Sequence, residues 1–295
     1  MIAGHTALAH IPVLPKEVLS FLDIKPTGKY LDGTCGLGGH SNLILSNLSS
    51  EGFLVGTDID NEAVALSKKR LKKIGDNFHI EKSSYTQFPK VLRKLNIDKV
   101  DGILLDLGLS SMQLDSQDRG FSFMREANLD MRFDLKNEIQ ARDIINLSSN
   151  KELSDIMYYY GEERRSRIIS KNIIKNRPIN TVNKLKEIIR FSTPPNKRDK
   201  TMARVFQSFR IAVNHELENL KSFLKQYINY LKVGGKIIII SFHSLEDRIV
   251  KHSFKSGINK GDLKIITKKP VMATEEEKRI NKRSKSAKLR CAIKL

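Results

Sequence analysis

The sequence predicts an α/β fold: a doubly wound, mostly parallel, Rossmann-like sheet of seven strands with an all-helical domain inserted into it. Three observations carry that reading. A glycine-rich turn, Tyr30-Leu-Asp-Gly-Thr-Cys-Gly-Leu-Gly-Gly-His-Ser41, joins an apolar strand to a helix, and a second apolar strand ends in Asp58 about twenty residues past the glycines. Short apolar runs then alternate with helical patterns, and Asp32, Asp58 and Asp106 stand at the ends of three of the runs. Between residues 112 and 213 the strand pattern stops and only helical periodicity remains. The expected division is a discontinuous sheet domain of residues 1–111 and 214–295, with residues 112–213 as the insertion.

Each element follows from local pattern. Residues 11–24 carry Val13, Leu14, Val18, Leu19 and Leu22 at helical spacing. The first strand, 29–32, runs into the glycine turn, where Gly36, Gly38 and Gly39 permit positive φ and a close approach of backbone N–H groups to a ligand. A helix over 40–49 follows, then a strand over 53–57 and a helix over 61–74 with Ala63, Leu66, Leu71 and Ile74 expected inward. A strand over 78–82, a helix near 87–95 and a strand over 102–106 continue the alternation. The insertion shows helical segments at 151–160, 164–175 and 182–191, a break at Thr193-Pro-Pro195, and one long helix from about 202 to 231. The sheet resumes at 236–241, and 263–267 and 289–293 are expected to close its far edge. Residues 275–290 read as a charged, mobile arm.

Composition limits the function classes. At 295 residues the chain can hold one large or two ordinary domains. Two cysteines, Cys35 and Cys291, give neither a disulfide framework nor a zinc pattern, so a reducing compartment and no metal are expected. The apolar run at 237–240 is far too short for a bilayer, and the N-terminus lacks the basic and apolar regions of a secretory leader, so a cytoplasmic protein is expected. A net charge of +19 favours a polyanionic partner, with nucleic acid ahead of plain solubility.

The glycine turn suits an anion at a helix start. A dinucleotide fingerprint wants a third glycine where this chain has Ser41, which weakens an NAD-dependent oxidoreductase. S-adenosylmethionine uses the same features differently: its carboxylate would lie over Gly38, Gly39 and His40, with Asp58 on the ribose hydroxyls. His40 is expected to act through its backbone N–H rather than its ring. Tyr85, just past the third strand, either packs on an adenine or is an ordinary core tyrosine.

The most distinctive segment is residues 102–134, where a strand-end acid leads into small residues, Gln113, paired acids and Phe121-Ser-Phe123. Here the chain resembles the bacterial small-subunit ribosomal RNA cytosine-N4 methyltransferases, the MraW family, over nearly its whole length. The motifs are His10-Ile-Pro-Val-Leu14; Asp32-Gly-Thr34 with Gly36-Leu-Gly-Gly-His-Ser41; Asp106-Leu-Gly-Leu-Ser-Ser-Met-Gln-Leu-Asp115; Arg119-Gly-Phe-Ser-Phe123; Leu129-Asp-Met-Arg132; Tyr160-Gly-Glu-Glu-Arg164; Phe206-Gln207 with Arg210-Ile211 and Val213-Asn214; Ser241-Phe-His-Ser-Leu-Glu-Asp-Arg248; and Arg283-Ser-Lys-Ser-Ala-Lys-Leu-Arg290. The resemblance implies a methyltransferase sheet with a helical insertion. It implies S-adenosylmethionine held by Gly38, Gly39, His40, Asp58, Tyr85, Asp106 and Gln113. It also implies a substrate cytidine in the decoding region of 16S rRNA, within the small ribosomal subunit, methylated on its exocyclic N4, with the enzyme a monomer or homodimer.

This chain departs from the family at Ala127-Asn128, where Gly-Pro is usual, and at residues 199–203, where a His-Pro approach is usual. It also has Tyr85 in place of Phe and Pro15 in place of Leu. The first two departures bear on RNA contacts of the insertion. Asp106 and His243 are the catalytic candidates. Asp106 lacks the following Pro-Pro-aromatic of the DNA amino-methylases, which leaves open whether it touches substrate as well as cofactor. His243 either orients the base or shuttles a proton, or holds its turn. Asp247 and Arg248 read as structural charges. Phe121 and Phe123 either stack on an extruded base or pack in a core. Arg164, Arg165, Arg167, Lys171, Lys175, Arg177, Lys197, Arg198, Lys200 and Arg204 are expected to meet phosphates. The competing readings are the oxidoreductase and a non-catalytic RNA-binding assembly factor.

Overall fold

A computed structural model describes residues 11–116 and 118–295; His10 of the first motif, Gln117 of the 102–134 segment and the N-terminal residues read for a leader lie outside the described part. The chain forms two compact units, one running up to Gly108 and resuming over Asn219–Leu295, the other spanning Leu109–Glu218.

In the first unit the order is α1 (Pro15–Leu22), β1 (Lys29–Asp32), α2 (Gly39–Leu45), β2 (Phe53–Asp58), α3 (Asn61–Leu71), β3 (Phe78–Lys82), α4 (Phe88–Lys94) and β4 (Val100–Asp106). Strands β1 to β4 pair in parallel in the order β3-β2-β1-β4. Helices pack on both faces, so the central strands are apolar on both sides rather than alternating with polar residues. The pleat sorts them: Leu31, Val55, Ile103 and Leu105 join Phe88 and Phe223 in one core, and Tyr30, Leu54 and Leu104 join Val18, Ile44 and Leu71 in the other.

Helix α3 corrects one expectation. Ala63 and Leu71 are buried, but Leu66 is 43% exposed and Ile74 lies past the helix end and is 37% exposed. Val64 and Ser67 take the inner positions, because the stripe that meets α2 and β2 is set by the packing of those elements and not by the most apolar residues available.

The second unit contains α5 (Ser111–Asp115), α6 (Ala141–Leu147), α7 (Asn150–Tyr159), α8 (Ser166–Lys175), α9 (Val182–Phe191) and α10 (Arg198–Asn214). Leu153, Met157, Ile169, Ile173, Leu185, Ile189, Val205 and Phe209 form its core, all fully buried. Phe121 is buried in that core and Phe123, partly buried, packs against it with its ring 5.6 Å from Phe206, contacts that match the packing reading of both. The motifs that set this segment apart are structural joints. Arg119 donates to the carbonyls of Arg132 and Phe133, Arg132 pairs with Asp130, and Gln207 donates to the carbonyl of Tyr160.

The long helix expected over 202–231 is instead three helices. Helix α10 stops at His215, which adopts φ 50°, and is followed by α11 (Glu216–Leu224) and α12 (Tyr227–Tyr230). The stop is stitched in place. Asn214 donates to the carbonyls of Met131 and Arg210 and accepts from the Phe133 N–H, while Arg210 grips Glu216 through two 2.8 Å hydrogen bonds.

The sheet then resumes with β5 (Leu231–Ser241), followed by α13 (Ser244–Asn259), β6 (Leu263–Ile265), α14 (Glu275–Ile280) and β7 (Lys288–Lys294). The full order is β3-β2-β1-β4-β5-β7-β6, with β7 antiparallel to both neighbours. The last strand in sequence thus inserts between β5 and β6. The charged stretch 275–290 is no mobile arm: Glu277 accepts from the Leu14 N–H at 2.8 Å, and Asn281 donates to the Ile11 carbonyl at 3.0 Å. Among the described residues no helix is long and apolar enough to cross a membrane.

Candidate functional site

The order β2-β1-β4 puts the point where the strand sequence reverses between β1 and β4, with the carboxyl ends of β1, β2 and β4 together. In open α/β sheets that crevice is where ligands bind. Asp32, Asp58 and Asp106 end those three strands.

The glycine turn leaves β1 at Asp32. Gly36 and Gly38 have φ of 49° and 75°, and a Cβ on Gly38 would lie 3.2 Å from the Ser67 Cβ, so the turn depends on glycine there twice over. Gly38 is the N-cap of α2 and provides no side-chain cap. The turn is instead held by the acids. Asp32 accepts from the Ser41 hydroxyl at 2.6 Å and from the Thr34 N–H at 3.2 Å; Asp58 accepts from the N–H groups of Gly36 at 2.8 Å and Asp60 at 3.0 Å. The Thr34 hydroxyl in turn accepts from the Asp106 N–H at 2.6 Å, tying the turn to β4.

Ser41 therefore does more than break a dinucleotide fingerprint. Where such a fingerprint has a glycine for close helix-to-strand packing, this chain has a fully buried hydroxyl bonded to the β1 acid. That bond argues against the oxidoreductase reading.

Burial shapes the acidity of the cluster. Loss of solvent pushes the Asp32 carboxyl up to about 6, opposed by its bonds from Ser41 and Thr34 and aided by the charge of Asp58. Asp58 is likewise pushed to about 6 by burial, against the bonds from Asp60 and Gly36. Asp106 rises furthest, to about 7: burial dominates, the Arg283 guanidinium pulls it down, and Asp32 and Glu246 push it up. Its Oδ1 is buried with no hydrogen-bond partner among the described residues, and its Oδ2 lies 3.8 Å from His40 Nε2. A buried carboxylate oxygen left open at a ligand-binding crevice has the character of a ligand contact. The His40 ring, 5% exposed as a residue, thus reaches Asp106, although only its backbone N–H was expected to matter.

Tyr85 opens the short 3-10 helix after β3, and its Cβ would lie 3.1 Å from a Cβ on Gly33, beside the β1 end. Its ring meets Phe223 edge-on at 5.8 Å and packs against the core, while the residue remains part-exposed. Gln113 belongs to the helical unit, where it is buried and its Oε1 accepts from the Ser110 N–H as half of a capping box.

His243 caps α13. Its Nδ1 lies 3.5 Å from the Glu246 N–H and its Nε2 3.2 Å from Glu246 Oε1, while the other Glu246 oxygen accepts from the Phe242 N–H at 2.8 Å. Those contacts match the turn-holding reading. Asp247 pairs with Arg290 through bonds of 2.6 and 3.1 Å, a structural joint between α13 and β7.

Sequence reasoning read Ser41 only as a missing glycine and gave Thr34, Phe242 and Arg283 no role. The Arg283 guanidinium stands 5.7 Å above the Phe242 ring, and the Phe242 ring lies 3.5 Å from where a Cβ on Gly108 would be. All four stood inside quoted motifs, and the hydroxyls of Thr34 and Ser41 were the available signal. Of the cations expected to meet phosphates, at least four are otherwise engaged: Arg165 donates to the Ser192 carbonyl at 2.7 Å, Arg177 to the carbonyls of Ile145 and Ser148, and Arg198 to the Thr193 carbonyl at 3.4 Å, while Arg204 pairs with Glu163 at 3.6 Å.

The family model described as the MraW methylase family matches residues 7–295. Three relatives are similar over nearly their whole length, each bearing the name ribosomal RNA small subunit methyltransferase H. That of Caldicellulosiruptor saccharolyticus is 48% identical, covering 97% of this chain and 99% of the relative. That of Thermosipho africanus is 46% identical, covering 97% and 98%. That of Trichormus variabilis is 45% identical, covering 97% and 92%.

Proposed function

The chain belongs to the MraW methylase family, and from that membership we propose that it transfers a methyl group from S-adenosylmethionine to the exocyclic N4 of a cytidine in the decoding region of 16S rRNA, in the small ribosomal subunit. The observation that carries the reading is the buried, open Oδ1 of Asp106 beside His40 and the glycine turn.

The residues present fit such a cofactor. The start of α2 has no side-chain cap and suits a carboxylate near Gly39 and His40, while the Gly38 N–H is already given to the Cys35 carbonyl at 2.7 Å, so Gly38 serves by its backbone shape. Asp58 has lone pairs for ribose hydroxyls beyond the N–H groups of Gly36 and Asp60. Tyr85 is part-exposed beside the β1 end, and Gln113 is a cofactor residue on the strength of the family membership alone. When bound, S-adenosylmethionine supplies an electrophilic methyl group on a positively charged sulfur.

The N4 lone pair of cytosine is delocalised into its ring, so the enzyme has to hold the amine in line and accept its hydrogens as the N–C bond forms. Asp106 is placed for the acceptor's part: its open oxygen takes an N–H, and a carboxyl raised to about 7 is basic enough to take up the proton the amine loses. Thr34 fixes the Asp106 backbone, Arg283 favours its ionised form, and His40 Nε2 lies 3.8 Å from its Oδ2. His243 holds the turn after β5 through Glu246.

The test is methyl incorporation into small ribosomal subunits from cells lacking this protein, with nucleoside mapping of the product. Wild type should label one cytidine on N4 and Asp106→Asn should not. Equal labelling by both removes Asp106 from the mechanism, and labelling at another atom or base overturns the substrate assignment. Tighter binding of NAD than of S-adenosylhomocysteine would favour the oxidoreductase instead.

A further inference from the structure

Residues 164–204 carry thirteen lysines and arginines against two acids, Glu187 and Asp199. The structure divides these cations into those the fold uses and those it does not. Arg165, the N-cap of α8, and Asn172 on α8 both bond to Ser192, just past the end of α9, at 2.7 and 2.8 Å, and Arg198 Nε lies 3.4 Å from the Thr193 carbonyl. Three segments are thereby gathered at one corner of the helical unit. Phe191, the residue before this joint, is 89% exposed.

The stripe of α8 next to the Arg165 and Asn172 edge carries Ile168, 46% exposed, and then Lys171 and Lys175, at i, i+3 and i+7. Arg190 precedes Phe191, and Lys197 ends the short 3-10 helix that begins at the second proline, Pro195. Lys171, Lys175, Arg190 and Lys197 are all exposed, and among the described residues none of the four has an ion-pair partner.

We propose that Phe191 is a stacking anchor for an unpaired nucleobase of the RNA substrate, and that Lys171, Lys175, Arg190 and Lys197 hold the phosphates on either side of it. The inference rests on the RNA-substrate reading above and adds the residue that grips the strand. Charge selects the occupant: a bare aromatic ring among unpaired cations matches a single-stranded polyanion whose bases present π faces, since base stacking supplies affinity and phosphates supply the salt-dependent part. Phe191 also takes the role expected of Phe121 and Phe123, which the core has claimed.

The two contributions have different signatures. The full-length protein is titrated with a labelled single-stranded oligoribonucleotide and with unmodified small ribosomal subunits, across a range of salt. Phe191→Ala and Phe191→Leu should each weaken binding about tenfold with the salt slope unchanged, and Phe191→Trp should restore it. Lys171→Gln and Lys175→Gln should each reduce the slope by about 0.7. Leucine matching phenylalanine, tryptophan failing to rescue, or a slope that moves with Phe191 overturns the anchor. So does self-association of the wild type that Phe191→Ala abolishes, because a second copy of the chain would then be the occupant. Methylation by wild type with unchanged RNA affinity and KM in the Phe191 variants sinks this inference alone. RNA binding through Phe191 without methylation sinks the proposed activity alone.

Discussion

His40 Nε2 stands 3.8 Å from Asp106 Oδ2, so the start of α2 and the end of β4 meet through their side chains as well as through the Thr34 bond to the Asp106 backbone. Substituting Asp106→Asn removes the charge that His40 and Arg283 face while keeping the shape. Methyl transfer should fall by about a hundredfold or more, the range for a positioned acid–base group. Single-turnover kinetics with S-adenosylhomocysteine affinity measured alongside separates chemistry from cofactor binding.

The raised carboxyls set the pH dependence of stability. Asp32 and Asp58 near 6 and Asp106 near 7 bind protons in the folded state that the unfolded chain, at about 4, has released. The folded form therefore holds more protons between those values, and stability falls as pH rises from about 4 through 7. Urea denaturation of the ligand-free protein across that window should show the decline. In Asp106→Asn it should be shallower, with the variant more stable than wild type by on the order of 1–3 kcal/mol at pH 8.

Cofactor affinity should move the opposite way. If Asp58 accepts ribose hydroxyls as an ionised group, S-adenosylhomocysteine binding should strengthen as pH rises through about 6. Calorimetry in buffers of different ionisation enthalpy should detect protons released on binding. A flat affinity profile with no proton release contradicts the assignment.

Ser41→Ala leaves one oxygen of the buried Asp32 without its 2.6 Å donor. The cost should be about 1–3 kcal/mol in thermal or urea unfolding. Ser41→Gly restores the dinucleotide pattern in sequence but not its packing, so NAD binding should not appear in a dye-displacement assay.

Asn214→Ala breaks three hydrogen bonds that tie the end of α10 to Met131, Phe133 and Arg210. A loss of about 2–4 kcal/mol is expected, since buried backbone groups are left unpaired. Hydrogen exchange should place the loosening around residues 131–133 and 210–216, with the strands of the sheet protected as in wild type.

Much of the sheet was legible from sequence. Seven short apolar segments, a turn that only glycine permits and acids at strand ends are local features, and burial on two faces writes itself into a run such as Ile237–Ile240 without reference to any partner. What stayed hidden depends on residues far apart in the chain. The stop at His215 is enforced by bonds from Asn214 to residues some 80 positions earlier, and the insertion of β7 between β5 and β6 is a choice of edge that alternation cannot express. Arg165 and Arg177 read as phosphate ligands until tertiary contacts supplied carbonyls for them, and Leu66 looked inward until α2 and β2 settled which stripe of α3 was covered. By itself the sequence determined which groups could form a crevice for an anion and a sugar. Only the tertiary structure decided that Asp106 keeps an open oxygen beside His40, because solvent exclusion and the competition for hydrogen bonds arise when distant segments are brought together.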